Sequence, residues 1–400
     1  MRTAPQTAPC RPEATRSATS RRAVAAASPP AFPSAFRVIL PALPALLAAC
    51  LFVLPAASCT PSSTPDRDVL YLYTWNNYIS DETAKRFEEW CGCTLKQDYY
   101  SDNEEMLAKL EAGAVGYDLL VPTGNAVETL IRQDALRPID KALLPHFLNL
   151  KAEYVDRWFD PGNRYSVPYA YTVTLIGYNV DRMRDLGLPT DTWALIFDPQ
   201  HLRKIRGKVT VLNSQRELMA AAMIYLGRSP QSTDPDDWKA ARDVILRAKP
   251  YWATFSNSTY IKDLAVGNIW VAHGYSSDMF RAREDAKDAG RPFTIGFTTP
   301  KEGAVLALDS FVLHKGGRRP DLAHRFIDFM LDGANAADVS NLIGAGSPNA
   351  VAQESIRPDI AGDPAIFPPP EQVQKMVMLR DFEPGMRRLL SRLWTEIKVR

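Results

Sequence analysis

The sequence predicts an α/β protein in which parallel sheets are covered by helices. Four apolar runs have the composition of strands buried on both faces, and they begin at Val69, Tyr117, Lys208 and Asn268. Each run is followed by a polar stretch and then by a segment with apolar residues along one helical face. Alternation of buried strands and amphipathic helices is typical of parallel sheets, and 400 residues are enough for two such domains.

The first unit sets the pattern for the rest of the chain. The strand Val69–Tyr73 leads into the polar and aromatic residues Trp75 to Tyr78, and a helix is predicted from Ser80. Ligands of open α/β sheets bind at the carboxyl ends of strands, so Trp75 and Tyr78 are candidate binding residues. The same two aromatic side chains also suit a purely structural role, as a cover for the rim of the core.

The later segments repeat the alternation. We expect a second strand–helix unit at 94–112 and further strands at 117–123, 208–212, 268–275, 293–300 and 304–316. Further helices are expected to open at residues 123–125 and at residues 213–214, the latter stopped by Gly227, and to lie at 234–249, from 277, at 319–333 and at 385–400. The run Arg164–Asn179 is β-branched and aromatic, with Pro168 inside it, and it is long enough to cross from one domain to another.

The N-terminal part is predicted to be a targeting segment. Residues 1–58 contain one acidic residue, Glu13, and end in the uncharged apolar stretch Val38–Ser58. A basic region followed by an apolar stretch indicates a secretory signal. Small residues directly before Cys59 resemble a bacterial lipoprotein signal, in which Cys59 is acylated and residues 59–67 form a tether. Cys50 is the alternative acylation site, and three prolines disfavour an uncleaved membrane helix.

The remaining cysteines, Cys91 and Cys93, are separated by one glycine. This spacing is too short for an unstrained disulfide, and two thiols alone do not complete a zinc site. We therefore expect two free cysteines without a function.

Composition and motifs argue against several classes of protein. The formal net charge of +1 provides no field for a phosphate backbone, so no nucleic-acid partner is expected. Glycine-rich phosphate loops, G-x-S-x-G and HExxH are absent from the sequence, and the five histidines are scattered singly. We expect no catalytic residue, no metal site and no cofactor.

Acidic residues recur at the ends of the predicted strands. Glu217 lies in the first helical turn after one strand, Asp278 follows another, and Asp309 interrupts an apolar strand. The helix dipole alone explains an acid in a first turn, since it contributes about 0.3–1 kcal/mol. An acid inside a buried strand, however, needs a partner or a ligand charge. Carboxylates next to aromatic strand ends suit an organic cation.

Five segments, in this order and spacing, resemble the spermidine/putrescine-binding proteins of bacterial ABC importers: YLYTWNNYIS, YDLLVPT, FDPGNRYSVPYAYTVTLIGYN, PKEGAVLALDS and IGAGSPNAVA. The similarity covers essentially all of residues 68–400. It implies a type II periplasmic binding fold, in which two lobes, each a mostly parallel sheet flanked by helices, are joined by crossing hinge strands. Lobe 1 is expected at 68–171 plus 309–352, and lobe 2 at 172–308 plus 353–400.

The resemblance also implies a set of ligand-binding residues in the cleft between the lobes. They are Trp75, Asn76, Asn77, Tyr78, Thr123, Asn125, Ser214, Glu217, Tyr275, Asp278, Asp309 and Glu383. Asp309 matches the acid that anchors an amine. Asn125, Ala307 and Ala345 stand where aromatic residues are common in the family, so a wider and less aromatic cleft is expected.

The function implied by the resemblance is capture of putrescine or spermidine, without catalysis, by a monomer anchored through a lipid in the periplasm or at the cell surface. Its partners are the permease and ATPase subunits of an ABC importer. Other functions stay open on the residues alone. One alternative is a receptor for ferric ion, which would use Tyr99 and Tyr100, or for an amino-acid derivative. Another is a glycosidase that uses two cleft acids. A third is a sensor or an adhesin.

Overall fold

Residues 68–400 are described here in a computed structural model, and they belong to one compact unit. They form ten strands: β1 (Val69–Trp75), β2 (Thr94–Tyr100), β3 (Leu119–Leu120), β4 (Leu136–Arg137), β5 (Ser166–Asn179), β6 (Val209–Val211), β7 (Thr254–Phe255), β8 (Val271–Tyr275), β9 (Ile295–Thr298) and β10 (Val305–His314). The predicted leader 1–58, the tether 59–67 and the acylated Cys59 lie outside the described residues.

The same residues form sixteen α-helices, several of them a single turn. They are α1 (Asp81–Cys91), α2 (Asn103–Glu111), α3 (Gly124–Arg132), α4 (Val180–Leu186), α5 (Ala194–Phe197), α6 (Pro199–Leu202), α7 (Gln215–Tyr225), α8 (Pro235–Ala248), α9 (Thr259–Ala265), α10 (Ser276–Asp288), α11 (Pro320–Leu331), α12 (Gly333–Ala336), α13 (Asp338–Ile343), α14 (Pro358–Ala361), α15 (Pro370–Val373) and α16 (Pro384–Val399). None of the helices between residues 68 and 400 has the length and apolarity needed to cross a bilayer.

The strands are arranged as two parallel groups joined by two long antiparallel strands. The order along the sheet is β2-β1-β3-β10-β5-β8-β6-β7, with β4 paired to β10 and β9 to β5. Strands β2, β1 and β3 are parallel to one another, as are β8, β6 and β7. Strands β5 and β10 pair antiparallel between the two groups. The α/β class and the crossing run Arg164–Asn179 are therefore confirmed.

The helices begin where local capping predicts. The Ser80 hydroxyl accepts a hydrogen bond from the Thr83 amide at 3.0 Å and thereby satisfies one of the free N–H groups at the start of α1. Ser214 caps α7 in the same way through the Glu217 amide. These caps place the first turn of each helix directly after the end of a strand.

Four clusters of buried apolar side chains form the core. Two draw on residues 70–171 and 306–345, and two draw on residues 173–305, 336–366 and 390–397. The exact division into lobes 68–171 plus 309–352 and 172–308 plus 353–400 stays a prediction, because residues 68–400 form one compact unit.

Two local expectations are wrong. Cys91 and Cys93 form a disulfide, since Gly92 adopts a φ of 67° and the turn leaves their Cα atoms 5.2 Å apart, within the range of about 4.4–6.8 Å that disulfides span. The strand expected at 117–123 pairs only at Leu119–Leu120. Beyond it, Pro122 has no N–H to continue the ladder.

Candidate ligand-binding site

Asp309, on the crossing strand β10, lies beside a bulge of the partner strand β5 at Tyr169. The register between β10 and β5 shifts between Asp309 and Ser310, opposite Pro168, which has no N–H to donate. The Ser310 amide donates instead to the Pro122 carbonyl at 3.0 Å, and Asp309 forms an isolated bridge with Thr123. The bulge thus directs the Asp309 carboxyl toward the ends of β1 and β3.

Two hydroxyl groups hold the Asp309 carboxyl. Tyr78 Oη donates to Oδ2 at 2.6 Å, and Thr123 Oγ1 donates to Oδ1 at 2.5 Å. Burial raises the pKa of Asp309 to about 7, although both hydrogen bonds oppose the shift. No ion pair within residues 68–400 includes this carboxyl, so its charge is left without a protein cation.

The loop after β1 brings Tyr78 into this position. Asn77 adopts a φ of 60°, a left-handed conformation that asparagine tolerates well. The Tyr78 carbonyl accepts a hydrogen bond from the Tyr169 hydroxyl at 2.6 Å. Trp75 is fixed beside it, because its indole Nε1 donates to the Val121 carbonyl at 2.9 Å.

Thr123 is oriented by a residue that the sequence did not single out. Asn103 Nδ2 donates to Thr123 Oγ1 at 3.0 Å, so the Thr123 hydroxyl proton is free to point at Asp309. Asn103 Oδ1 also accepts from the Thr123 amide at 3.2 Å. The amide side chain therefore sets the direction of the Thr123 hydroxyl.

Glu217 and Asp278 lie in the helices that follow β6 and β8, in the second parallel group. Each of their carboxyls accepts a hydrogen bond from a neutral hydroxyl. Thr174 Oγ1 on β5 donates to Glu217 Oε2 at 2.7 Å, and the Tyr260 hydroxyl donates to Asp278 Oδ2. Burial raises the pKa of Glu217 and raises that of Asp278 to about 6. Within residues 68–400, neither carboxyl forms an ion pair.

Three of the predicted acids influence the pKa of Tyr275. Burial raises the pKa of its phenol, and the negative charges of Glu217, Asp278 and Asp309 raise it further, as does that of Glu104. Tyr275 on β8 pairs with Thr174 on β5. Thr174 is the residue whose hydroxyl donates to Glu217, so Tyr275 and this contact lie at the same level of the sheet. Three of the predicted acids are therefore within electrostatic range of one aromatic side chain.

A small cavity of about 30 Å³, open to solvent, lies beside Thr123 and Glu217. It is lined by Thr123, Gly124, Asn125, Trp158, Phe159, Arg216, Glu217, Val305, Leu306, Ala307, Leu308, Met378 and Leu379. Thr123, Asn125 and Glu217 are in the predicted site. Trp158, Arg216 and Leu379 were missed, because no strand end or motif distinguishes them in the sequence.

Nine of the twelve predicted residues are absent from this lining, among them Trp75, Tyr78, Tyr275, Asp278 and Asp309. Asn76 and Asn77 are exposed in the loop after β1. Ser214 caps α7, and Glu383 is exposed at the beginning of α16 with no side-chain capping bond. The ligand roles of all twelve predicted residues stay predictions.

The tyrosine pair considered for ferric ion does not act as a unit. Tyr100 is buried and its hydroxyl donates to the Val121 carbonyl at 2.6 Å, whereas Tyr99 is 49% exposed. Between residues 68 and 400, no group of three or more His, Cys, Asp or Glu side chains is arranged to hold a metal ion. The polar groups at the site are instead carboxyls, hydroxyls and aromatic rings, a set that stabilises organic cations.

Two parallel-sheet lobes, joined by crossing strands, define a two-lobed solute-binding protein of the periplasmic type. Residues 82–368 match the family of bacterial extracellular solute-binding proteins, and the chain belongs to that family.

Its relatives include polyamine-binding proteins. The putrescine/cadaverine-binding protein of Pseudomonas aeruginosa is 54% identical over 331 residues, covering 83% of this chain and 94% of that protein. The putrescine-binding periplasmic protein PotF of Escherichia coli is 33% identical over 340 residues, covering 83% and 92%. The solved TpPotD lipoprotein of Treponema pallidum has a TM-score of 0.73 and 27% identity, covering 83% of this chain and 100% of that chain. The resemblance and the two-lobed fold are confirmed.

Proposed function

We propose that this chain is an extracytoplasmic solute-binding protein that captures a polyamine in its cleft and delivers it to an ABC importer, without catalysis. The observation that carries the proposal is the buried Asp309 carboxyl, which has two hydroxyl donors and no protein cation within residues 68–400. A ligand ammonium supplies the missing charge.

A diamine fits the distribution of acids. Asp309 lies at the ends of β1 and β3, whereas Glu217 and Asp278 follow β6 and β8, so two ammonium groups of one chain can meet acids on both sides of the cleft. The aromatic residues Trp75, Tyr78 and Tyr275 suit the methylene stem between them. The printed names of the relatives, which bind putrescine or cadaverine, support the same class of ligand.

The anchor and the partners belong to this proposal as well. A lipid on Cys59 would hold the protein at the membrane, next to the permease and ATPase subunits, as a monomer in the periplasm or at the cell surface. The relative from Treponema pallidum is a lipoprotein by name, which supports an anchor. Metabolic labelling with palmitate should mark the protein and should be lost in Cys59→Ala; loss only in Cys50→Ala would move the anchor to Cys50.

Binding to the fragment from Asp66 onward tests the proposed ligand. A thermal-shift assay compares putrescine, cadaverine, spermidine, spermine, amino acids and ferric ion. A ligand that binds only the native state, at a hundredfold excess over its Kd, adds about 2.7 kcal/mol to the free energy of unfolding. We expect a shift with polyamines only. Calorimetry of Asp309→Asn should show at least about 30-fold weaker binding, since losing one member of a buried charge pair costs about 2–5 kcal/mol.

Asp160→Asn is the matched control. Asp160 is equally buried, but its carboxyl accepts hydrogen bonds from the amides of residues 164–166 and serves the fold. The Asp160→Asn substitution should lower the melting temperature and leave the polyamine affinity within about twofold of the wild-type value. An Asp309→Asn variant that behaves like this control would contradict the assignment of Asp309, and a shift with amino acids or ferric ion alone would contradict the polyamine.

A further inference from the structure

One end of the cavity carries a cluster of arginines around a single acid. Asp381, whose side chain is only 11% exposed, forms ion pairs with Arg132 on α3 at 2.9 Å and with Arg387 on α16 at 3.5 Å. Arg216 on α7 lies 3.9 Å from the other carboxylate oxygen. Three guanidinium groups thus share one carboxylate, and the positive charge exceeds the negative charge there.

Arg216 is the member of this cluster that reaches the cavity. It lines the wall next to Glu217, and its Nη2 donates to the Arg380 carbonyl at 2.8 Å. Only 25% of its side chain is exposed. The contacts with residues 380 and 381 therefore hold a partly buried positive charge at the cavity wall.

The aromatic residue of the same wall already faces a cation. The Arg380 guanidinium lies 4.7 Å from the centre of the Trp158 ring, and Trp158 lines the cavity. A face of this ring is therefore engaged by a protein cation rather than left for a ligand ammonium. The acids Asp309 and Asp278, in contrast, have only hydroxyl partners.

We infer that Arg216 is a specificity-determining residue that restricts the cleft to short diamines by repelling a third ammonium group. The inference rests on the proposed function and sharpens it. A diamine places its two charges on the acids, whereas a triamine such as spermidine must extend a further ammonium along the wall that carries Arg216. Two positive charges about 6 Å apart in a partly hydrated cleft change affinity by roughly tenfold.

Calorimetry with putrescine, cadaverine and spermidine on three variants tests this role. Arg216→Gln removes the charge, Arg216→Lys keeps it, and Arg242→Gln is a matched control. Arg242 is an arginine of α8 with 20% exposure, is paired with Glu396 at 2.7 Å, and is absent from the cavity lining. Circular dichroism and melting curves check that each variant folds.

We expect Arg216→Gln to lower the ratio of spermidine Kd to putrescine Kd by about tenfold through tighter spermidine binding, with putrescine affinity within about threefold. Arg216→Lys and Arg242→Gln should keep the wild-type ratio. If Arg216→Gln does not fold, Arg216→Ala removes the same charge and should give the same lowered ratio.

Other results would overturn the inference. An unchanged ratio in Arg216→Gln, or in Arg216→Ala where the glutamine variant does not fold, removes Arg216 as a selector while leaving polyamine capture intact. Preference of the wild type for 4-aminobutyrate over putrescine would make Arg216 a partner of a ligand carboxylate instead. Absence of any polyamine binding by the wild type would overturn the proposed function together with the inference.

Discussion

Asp309 and Asp278 are carboxyls whose surroundings favour the neutral form in the absence of ligand. Burial raises their pKa values from 3.8 to about 7 and about 6. Between the ordinary and the raised values, the folded protein holds protons that the unfolded chain has released. The stability from these protonated groups is therefore fully present below about pH 4 and is lost as the pH rises through about 6 and 7.

Ligand binding should have the opposite dependence on pH, because an ammonium group needs an ionised carboxylate. We expect putrescine affinity to rise between pH 5 and pH 8, by up to roughly tenfold per pH unit while Asp309 is protonated, and then to level off. Calorimetry in two buffers of different ionisation enthalpy should show proton release on binding at pH 6. In Asp309→Asn the upper part of this rise should be missing. Proton uptake, or an affinity independent of pH, would show that Asp309 is already ionised without ligand.

At the scale of elements, the crossing strand β5 depends on a close approach by the segment after α13. Tyr171 and Gly346 exchange two backbone hydrogen bonds of 2.8 Å, and a Cβ at Gly346 would overlap the Tyr171 ring. Tyr171 is buried and stacks on Tyr154 at 4.8 Å between ring centres, so it has little room to move. Glycine is therefore required here for space rather than for an unusual backbone conformation.

Gly346→Ala should accordingly destabilise the protein by about 1–3 kcal/mol, the usual cost of forcing extra volume into a packed region. Urea unfolding measures the change. Gly385→Ala is the control, because Gly385 lies in the first turn of α16 with no heavy atom within 4 Å of the added Cβ, and alanine favours a helix over glycine by up to about 1 kcal/mol. Equal stability of the two variants would mean that the Tyr171 ring moves aside at little cost.

For the whole molecule, the two crossing strands are the covalent links between the parallel groups beside the site. Two of the predicted lobe boundaries, after Tyr171 and after Leu308, lie in β5 and β10, and these two residues pair with each other. Asp309 lies on a crossing strand beside the ends of β1 and β3, whereas Glu217 and Asp278 follow strands of the other group. A ligand that bridges them favours a conformation in which the groups are close.

Small-angle scattering should therefore show a smaller radius of gyration with saturating putrescine than without it. The Asp309→Asn variant, at the same putrescine concentration, should show less compaction because less of it is bound. A wild-type radius that does not change at saturation would mean that the free protein already has the bound shape, or that the ligand binds elsewhere.

The local features of this protein follow from short-range patterns in its sequence. Helix caps such as Ser80 and Ser214, buried strand runs and the acid inside β10 are readable because a cap or a period involves residues a few positions apart. The family was readable as well, because its five segments keep their order along the chain.

Only the tertiary structure decided which groups meet these residues. The Tyr78 and Thr123 hydroxyls reach Asp309 across 231 and 186 positions, and Arg380, whose carbonyl holds Arg216, lies 164 positions away. Even the bond between Cys91 and Cys93 depended on the φ of Gly92. Hydrogen bonds, charge repulsion and pKa shifts act over a few ångströms of space, and distance in space between residues so far apart in sequence exists only once the chain has folded.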